Sequence, residues 1–227
     1  MERISSALGP IKAILWGERA CQHVGAPVVC DDYMLVIPDA DLELAATQLR
    51  AAGFQPCAWS FGSRKPDFYQ TVQAQQLYRS ITRGYRNLDR VSIRFLFPPE
   101  DQDEITKVVL LPSSYAHISA SNDTPQLEGG ILYPDVTQLL TSFVRTIVRE
   151  PFRGMWTSNL SAWAISYVYG YSGLGDDALD SCDDEEAKSW FNKEIRRFSG
   201  GMDRTTITKR LGKGDNGVAG KVEVESK

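Results

Sequence analysis

Apolar and polar positions alternate between two rhythms over the first fifty residues. Ile11–Leu15 is a short unbroken apolar run, suited to a buried strand, and Gly17-Glu18 break it. Arg19–Val24 reads as a short helix closed by Gly25. Val28–Ile37 is rich in β-branched residues and predicts a second strand. Asp39, after Pro38, is placed to cap a helix in which Leu42, Ala45, Ala46, Leu49 and Ala52 recur at helical spacing until Gly53. The order is β-α-β-α.

Further along, Cys57–Phe61, Val91–Phe97 and Lys107–Leu111 predict strands, the last stopped by Pro112. A short helix is expected around Thr71–Leu77, a turn over Pro98–Asp103 and a loop over Asn122–Gly130. The rhythm then becomes helical. Leu139, Leu140, Phe143, Val144, Ile147 and Val148 form one stripe, and Leu160, Trp163, Ala164, Tyr167, Val168 and Tyr171 form another. Trp190–Phe198 predicts a third helix, and the Gly-rich, charged tail from Gly212 is expected to be disordered. The expected organisation is an α/β half over residues 1–130, a helical half over 131–211 and a tail over 212–227.

Composition narrows the class. The 227 residues suit one domain, and their net charge of −4 gives no global basic field to advertise nucleic acid or membrane. Cys21, Cys30, Cys57 and Cys182 lack CxxC spacing, and two histidines are too few for an evident zinc set, so the thiols read as reduced and no metal or other cofactor is expected. MERISSALGPIK lacks a long apolar core, and no run reaches spanning length. A cytoplasmic protein without membrane contact is the expectation.

The opening stretch LWGERACQHVGAPVVCDDYMLVIPD resembles that of a nucleotidyltransferase of the polymerase-β type. In such enzymes a strand ends in a Gly-Gly or Gly-Ser turn, the following helix N-terminus receives a triphosphate, and the next strand carries two carboxylates two residues apart. With a third carboxylate they hold two divalent metals. Here Gly17-Glu18 occupies the turn, and His23-Val24-Gly25-Ala26-Pro27 resembles the HYGxPR segment of small proteins of this kind. Asp32 then falls on the first carboxylate and Met34 on the second; Val91–Phe97 offers Ser92 and Arg94 in place of a third. Asp31 and Asp32, adjacent on a strand, would face opposite sides. The implied fold is a degenerate nucleotidyltransferase-like mixed sheet with a C-terminal helical region.

Two more stretches, VVLLPSSYAHI and WTSNLSAWAISYVYGY with FNKEIRRFSGGMD, extend the resemblance to small fungal nucleotidyltransferase-like proteins over roughly residues 10–203. Among proteins of that kind the chain is similar to the arginine-containing cyclodipeptide synthases. These join arginine from arginyl-tRNA to a second aminoacyl group, from a second aminoacyl-tRNA, as a diketopiperazine in secondary metabolism. The family's Asp-Asp-x-x-Glu motif matches Asp176-Asp177-Ala178-Leu179-Asp180, with Asp180 in the last place, and implies a substrate-binding role for Asp176, Asp177 and Asp180.

The residues allow several chemistries. Glu18 and Asp32, with Gly17 and Asp31 beside them, could hold a guanidinium where phosphate would otherwise sit, or be a surface helix residue and a relict or strand-end hydrogen-bonder. Ser114 and His117, just past a strand, could supply an acyl acceptor and a base, against a plain Pro-Ser turn with a packed histidine. Lys193, Arg196, Arg197 and Arg204 concentrate positive charge near the C-terminus and are the expected tRNA contacts, against a solvated mixed-charge helix. Trp156, Trp163, Tyr167 and Tyr171 fit a core stripe, with an aromatic acceptor pocket as the other reading. Two further functions stay open: residual nucleotidyl transfer, and a non-catalytic pseudo-nucleotidyltransferase binding module.

Overall fold

A computed structural model describes residues 1–63, 70–99, 106–120, 130–196, 198–199 and 202–203. The chain is a mixed α/β protein built on a six-stranded sheet in the order β3-β4-β5-β2-β1-β6. The strands are β1 Ala13–Trp16, β2 Tyr33–Ile37, β3 Gln55–Pro56, β4 Ile93–Leu96, β5 Lys107–Pro112 and β6 Ile131–Leu132. β1 runs antiparallel to β2, while β2 and β5 are parallel, with Tyr33 opposite Val108 and Ile37 opposite Pro112.

The central strands are apolar except for Lys107 at the head of β5, because both sheet faces are covered. Ile14, Trp16, Met34, Val36, Val109 and Leu111 point to one core; Ala13, Leu15, Leu35, Ile37, Val108 and Leu110 point to the other. Helices α1 (Glu2–Leu8) and α3 (Leu42–Ala51) cover the second face through Ile4, Leu8, Ala45, Ala46 and Leu49. The first face receives α2 (Glu18–His23), α5 (Arg86–Val91), α7 (Val136–Arg149), α8 (Met155–Ala162) and α9 (Glu185–Glu194). α4 (Val72–Arg83) has no buried residue, and α6 (Ser113–Ala116) is a single turn after β5.

Several boundaries differ from the sequence expectation for identifiable reasons. The second strand begins at Tyr33, not Val28, because β1 pairs only with Met34–Val36 and the preceding acids belong to a cleft. The third strand is Gln55–Pro56 rather than Cys57–Phe61: Cys57 N–H still bonds Arg94 O at 2.8 Å, and the chain then leaves so that Phe61 can pack on Tyr85 and Trp156. Val91 closes α5 instead of opening β4. The expected Trp190–Phe198 helix is α9, which starts at Glu185 because the Asp184 carboxylate accepts from the N–H groups of Glu186 and Ala187. Asp39 does not cap α3. Its carboxylate instead accepts from Ser114 N–H and from the Ser113 and Ser114 hydroxyls. β6, from the segment expected to be helical, joins the sheet beside β1. The 212–227 tail lies outside the described residues.

Residues Trp163–Tyr169 form a π-helical turn continuing α8. Its wider i→i+5 register inserts a residue into the stripe. Val168 and Tyr169 are buried, and Tyr167 and Tyr171 are only partly so. Trp16 is the hub of the resulting aromatic core, 5.0 Å from Phe143 and 6.2 Å from Trp163 between ring centroids. No helix among the described residues is long and apolar enough to cross a membrane.

Candidate functional site

The end of β1 and the starts of β2 and β5 meet at one end of the sheet, because β1 is antiparallel to β2 and β2 is parallel to β5. That geometry gathers Glu18, Asp31, Asp32 and Lys107 around a cleft of about 260 Å³. Phe61, Gly62 and Ser63 form one wall, with Thr106 at the rim; Tyr85 and Asn159 approach from the helical side. Asp31 and Asp32 precede the strand, so the opposite-face expectation for adjacent strand residues does not apply, and both line the same space.

Asp32 is tied down. Its Oδ1 accepts the Lys107 backbone N–H at 2.7 Å, and its Oδ2 lies 3.8 Å from Lys107 Nζ. Lys107 is 5% exposed, and its ammonium also donates to Phe61 O at 3.1 Å and Ser63 O at 2.8 Å. Burial nonetheless pushes the Asp32 carboxyl above its ordinary range, against the pull of the lysine. Glu18, in the first turn of α2, accepts Asp31 N–H at 3.3 Å. Burial lifts its carboxyl too, and the neighbouring Asp31 and Asp32 charges add to the rise. Arg19 points elsewhere: its Nε donates to Asp32 O at 3.1 Å, and its guanidinium lies 3.6 Å from the Tyr33 ring centroid. The cleft therefore holds three carboxylates and one committed ammonium.

Tyr85 and Asn159 supply neutral polarity. Asn159 Nδ2 donates to the Tyr85 hydroxyl at 2.8 Å, which leaves the phenolic proton to donate into the cleft. Burial raises the Tyr85 pKa, so the group is a neutral donor.

Gly17 is explained by packing. Its φ is +70°, and a Cβ there would stand 2.7 Å from Met34 Sδ. Met34 is 2% exposed in the core. Among the described residues no three His, Cys, Asp or Glu side chains converge as a metal-binding group.

The structure brings Glu18, Asp31 and Asp32 together, with Gly17 just before Glu18, and places the serine, histidine, C-terminal acids and Lys193 elsewhere. Ser114 and His117 follow β5, at the opposite end of the sheet, with roughly 13 Å of strand between that end and Asp32. Ser114 Oγ is held by Asp39 at 2.9 Å, and His117 adopts a left-handed φ of 52° beside Arg145 and Arg149. Burial, then the two arginines, lowers the His117 pKa. Asp176 accepts the Tyr169 hydroxyl, Asp180 pairs with Arg196 at 3.2 Å, and Asp177 folds back on Gly175; none of the three acids lines the cleft. Lys193 pairs with Glu194 at 3.3 Å. Arg197 and Arg204 lie outside the described residues.

Sequence reasoning missed Lys107, Tyr85 and Asn159. A lone lysine opening the apolar run KVVLLP was a usable signal, since a charge at the head of a buried strand needs a partner. Tyr85 and Asn159 gave none, because only the tertiary fold brings them to the acids. No family model matches the chain, and no curated protein or solved structure matches it either.

Proposed function

We propose that the cleft recognises a cation, and that the chain is an arginyl-tRNA-dependent cyclodipeptide synthase on a degenerate nucleotidyltransferase-like scaffold. One observation carries the reading: Glu18, Asp31 and Asp32 share a small cleft whose lysine is already matched, so the cleft keeps surplus negative charge. Glu18 and Asp31 suit a guanidinium, which binds carboxylates bidentately and remains charged when desolvated. A metal-bound triphosphate is served poorly, because Met34 offers no second oxygen ligand and Glu18 repels phosphate.

Aminoacyl esters on tRNA are already activated. The free amine of one aminoacyl group attacks the ester carbonyl of the other, expelling a tRNA hydroxyl and forming an amide. The second amine then attacks the remaining ester, expelling the second tRNA and closing the diketopiperazine. With Glu18 and Asp31 engaged by the guanidinium, the proton of the attacking amine passes to the departing tRNA hydroxyl, and the Tyr85 phenol is suited to donate to the developing oxyanion. Ser114 and His117 have no part in this cleft.

Incubating the purified chain with tRNA, charging enzymes, ATP and labelled arginine tests the proposal. A labelled diketopiperazine dependent on the chain and lost in Glu18→Gln is the expected result. Absence of any arginine diketopiperazine with the full amino-acid set overturns it.

A further inference from the structure

A second surface adjoins the cleft with the opposite charge. The last turns of α4 and the start of α5 form an open groove of about 650 Å³ lined by Arg79, Ser80, Thr82, Arg83, Arg86 and Asp89. Arg79, Arg83 and Arg86 are exposed and make no carboxylate pair among the described residues. Asp89 is neutralised elsewhere: it lies 3.4 Å from Arg94 and accepts Phe61 N–H at 2.8 Å. The net field of the groove is therefore positive on a chain that is negative overall.

The geometry has a repeat. Arg79 and Arg83 are one helical turn apart on the same face, with Cβ atoms about 6 Å apart. Arg86 continues the row across the Gly84-Tyr85 turn. Ser80 and Thr82 line the same groove. Planar guanidinium forks spaced in this way match successive phosphates of a nucleic-acid backbone. The groove is concave, and the acidic cleft beside it opposes an anionic membrane surface, so a single strand or duplex edge fits better than a lipid plane.

We propose that Arg79, Arg83 and Arg86 bind the phosphate backbone of an RNA and deliver its aminoacylated end to the cleft. Tyr85 makes the connection. It lies between Arg83 and Arg86 in the chain, and its hydroxyl lines the cleft. The delivery step rests on the cation-binding reading of the cleft; the phosphate contacts do not. The expected tRNA contacts near the C-terminus are less suited: Lys193 and Arg196 each pair with an acid.

The test compares the full chain with an Arg79→Gln/Arg83→Gln/Arg86→Gln variant by fluorescence anisotropy against uncharged tRNA over a salt series. Circular dichroism checks the fold, and calorimetry with arginine methyl ester checks the cleft. The variant is expected to lose more than tenfold in tRNA affinity at low salt. Its log-affinity against log-salt slope falls by about 2, the loss of three phosphate contacts. Arginine ester binding stays unchanged. Parental tRNA affinity and slope in the variant overturn the proposal. So does a parent chain that ignores tRNA but binds vesicles containing phosphatidylserine through these arginines. Loss of ester binding in the parent with tRNA binding intact would sink the cleft reading and leave the arginine surface standing.

Discussion

Glu18 is a residue whose place in the fold opposes its own charge. Its folded pKa is raised, chiefly by burial, so the folded state holds the proton more tightly than the unfolded chain does. The associated stability is fully present below the unfolded pKa and is lost as pH rises through the folded one. At neutral pH the ionised carboxylate therefore costs stability. Glu18→Gln is expected to stabilise the chain by about 1 kcal/mol at pH 7, a gain of a few degrees in melting temperature. The gain should vanish below about pH 4, where both side chains are neutral. Thermal melts of both proteins across pH 4–8 check this. A conventional helix-cap role for Glu18 predicts the reverse sign.

At the scale of elements, two buried polar ties fix the sheet to its surroundings. Lys107 locks the start of β5 to Asp32 ahead of β2 and to the Phe61–Ser63 wall. Lys107→Met leaves Asp32 buried and uncompensated, and a loss of about 3–5 kcal/mol is expected in urea titration. The double variant with Asp32→Asn should recover most of it. The second tie is on α7, where Ser142 Oγ accepts Trp16 Nε1 at 2.8 Å and donates to Ala116 O. Ser142→Ala strands the buried indole N–H and should cost about 1–3 kcal/mol, measured the same way.

What could be read in advance follows the same division. α3 and α7 were legible because a single 3.6-residue stripe faces a single core, as with Ala45, Ala46 and Leu49. β1 was legible because both its faces are buried. The π-helical turn was not, since Tyr169 replaces Tyr167 in the core through a backbone register that side-chain spacing does not encode. Asp39 was misread because a cap partner distant in sequence, Ser114, competes with the local helix. Of the site, the acids flanking β1 and β2 were legible by adjacency, whereas Lys107, Tyr85 and Asn159 converge only through sheet order and helix packing.

Across the whole molecule, charge is partitioned rather than uniform. A net charge of −4 conceals an acidic cleft at one sheet end and an arginine row on the neighbouring α4–α5 surface. Ser114, His117 and the Asp176–Asp180 turn stand apart from both. The central claim is that the cleft selects a cation. Isothermal titration of arginine methyl ester into the intact chain at pH 7.5 and pH 5, with Glu18→Gln beside it, measures that selection directly. Saturable binding at pH 7.5 is expected, weaker at pH 5 in the direction set by the raised pKa of Glu18, and absent in the variant. No heat from the ester at millimolar concentration, with saturable binding of magnesium-ATP in its place, would contradict the account.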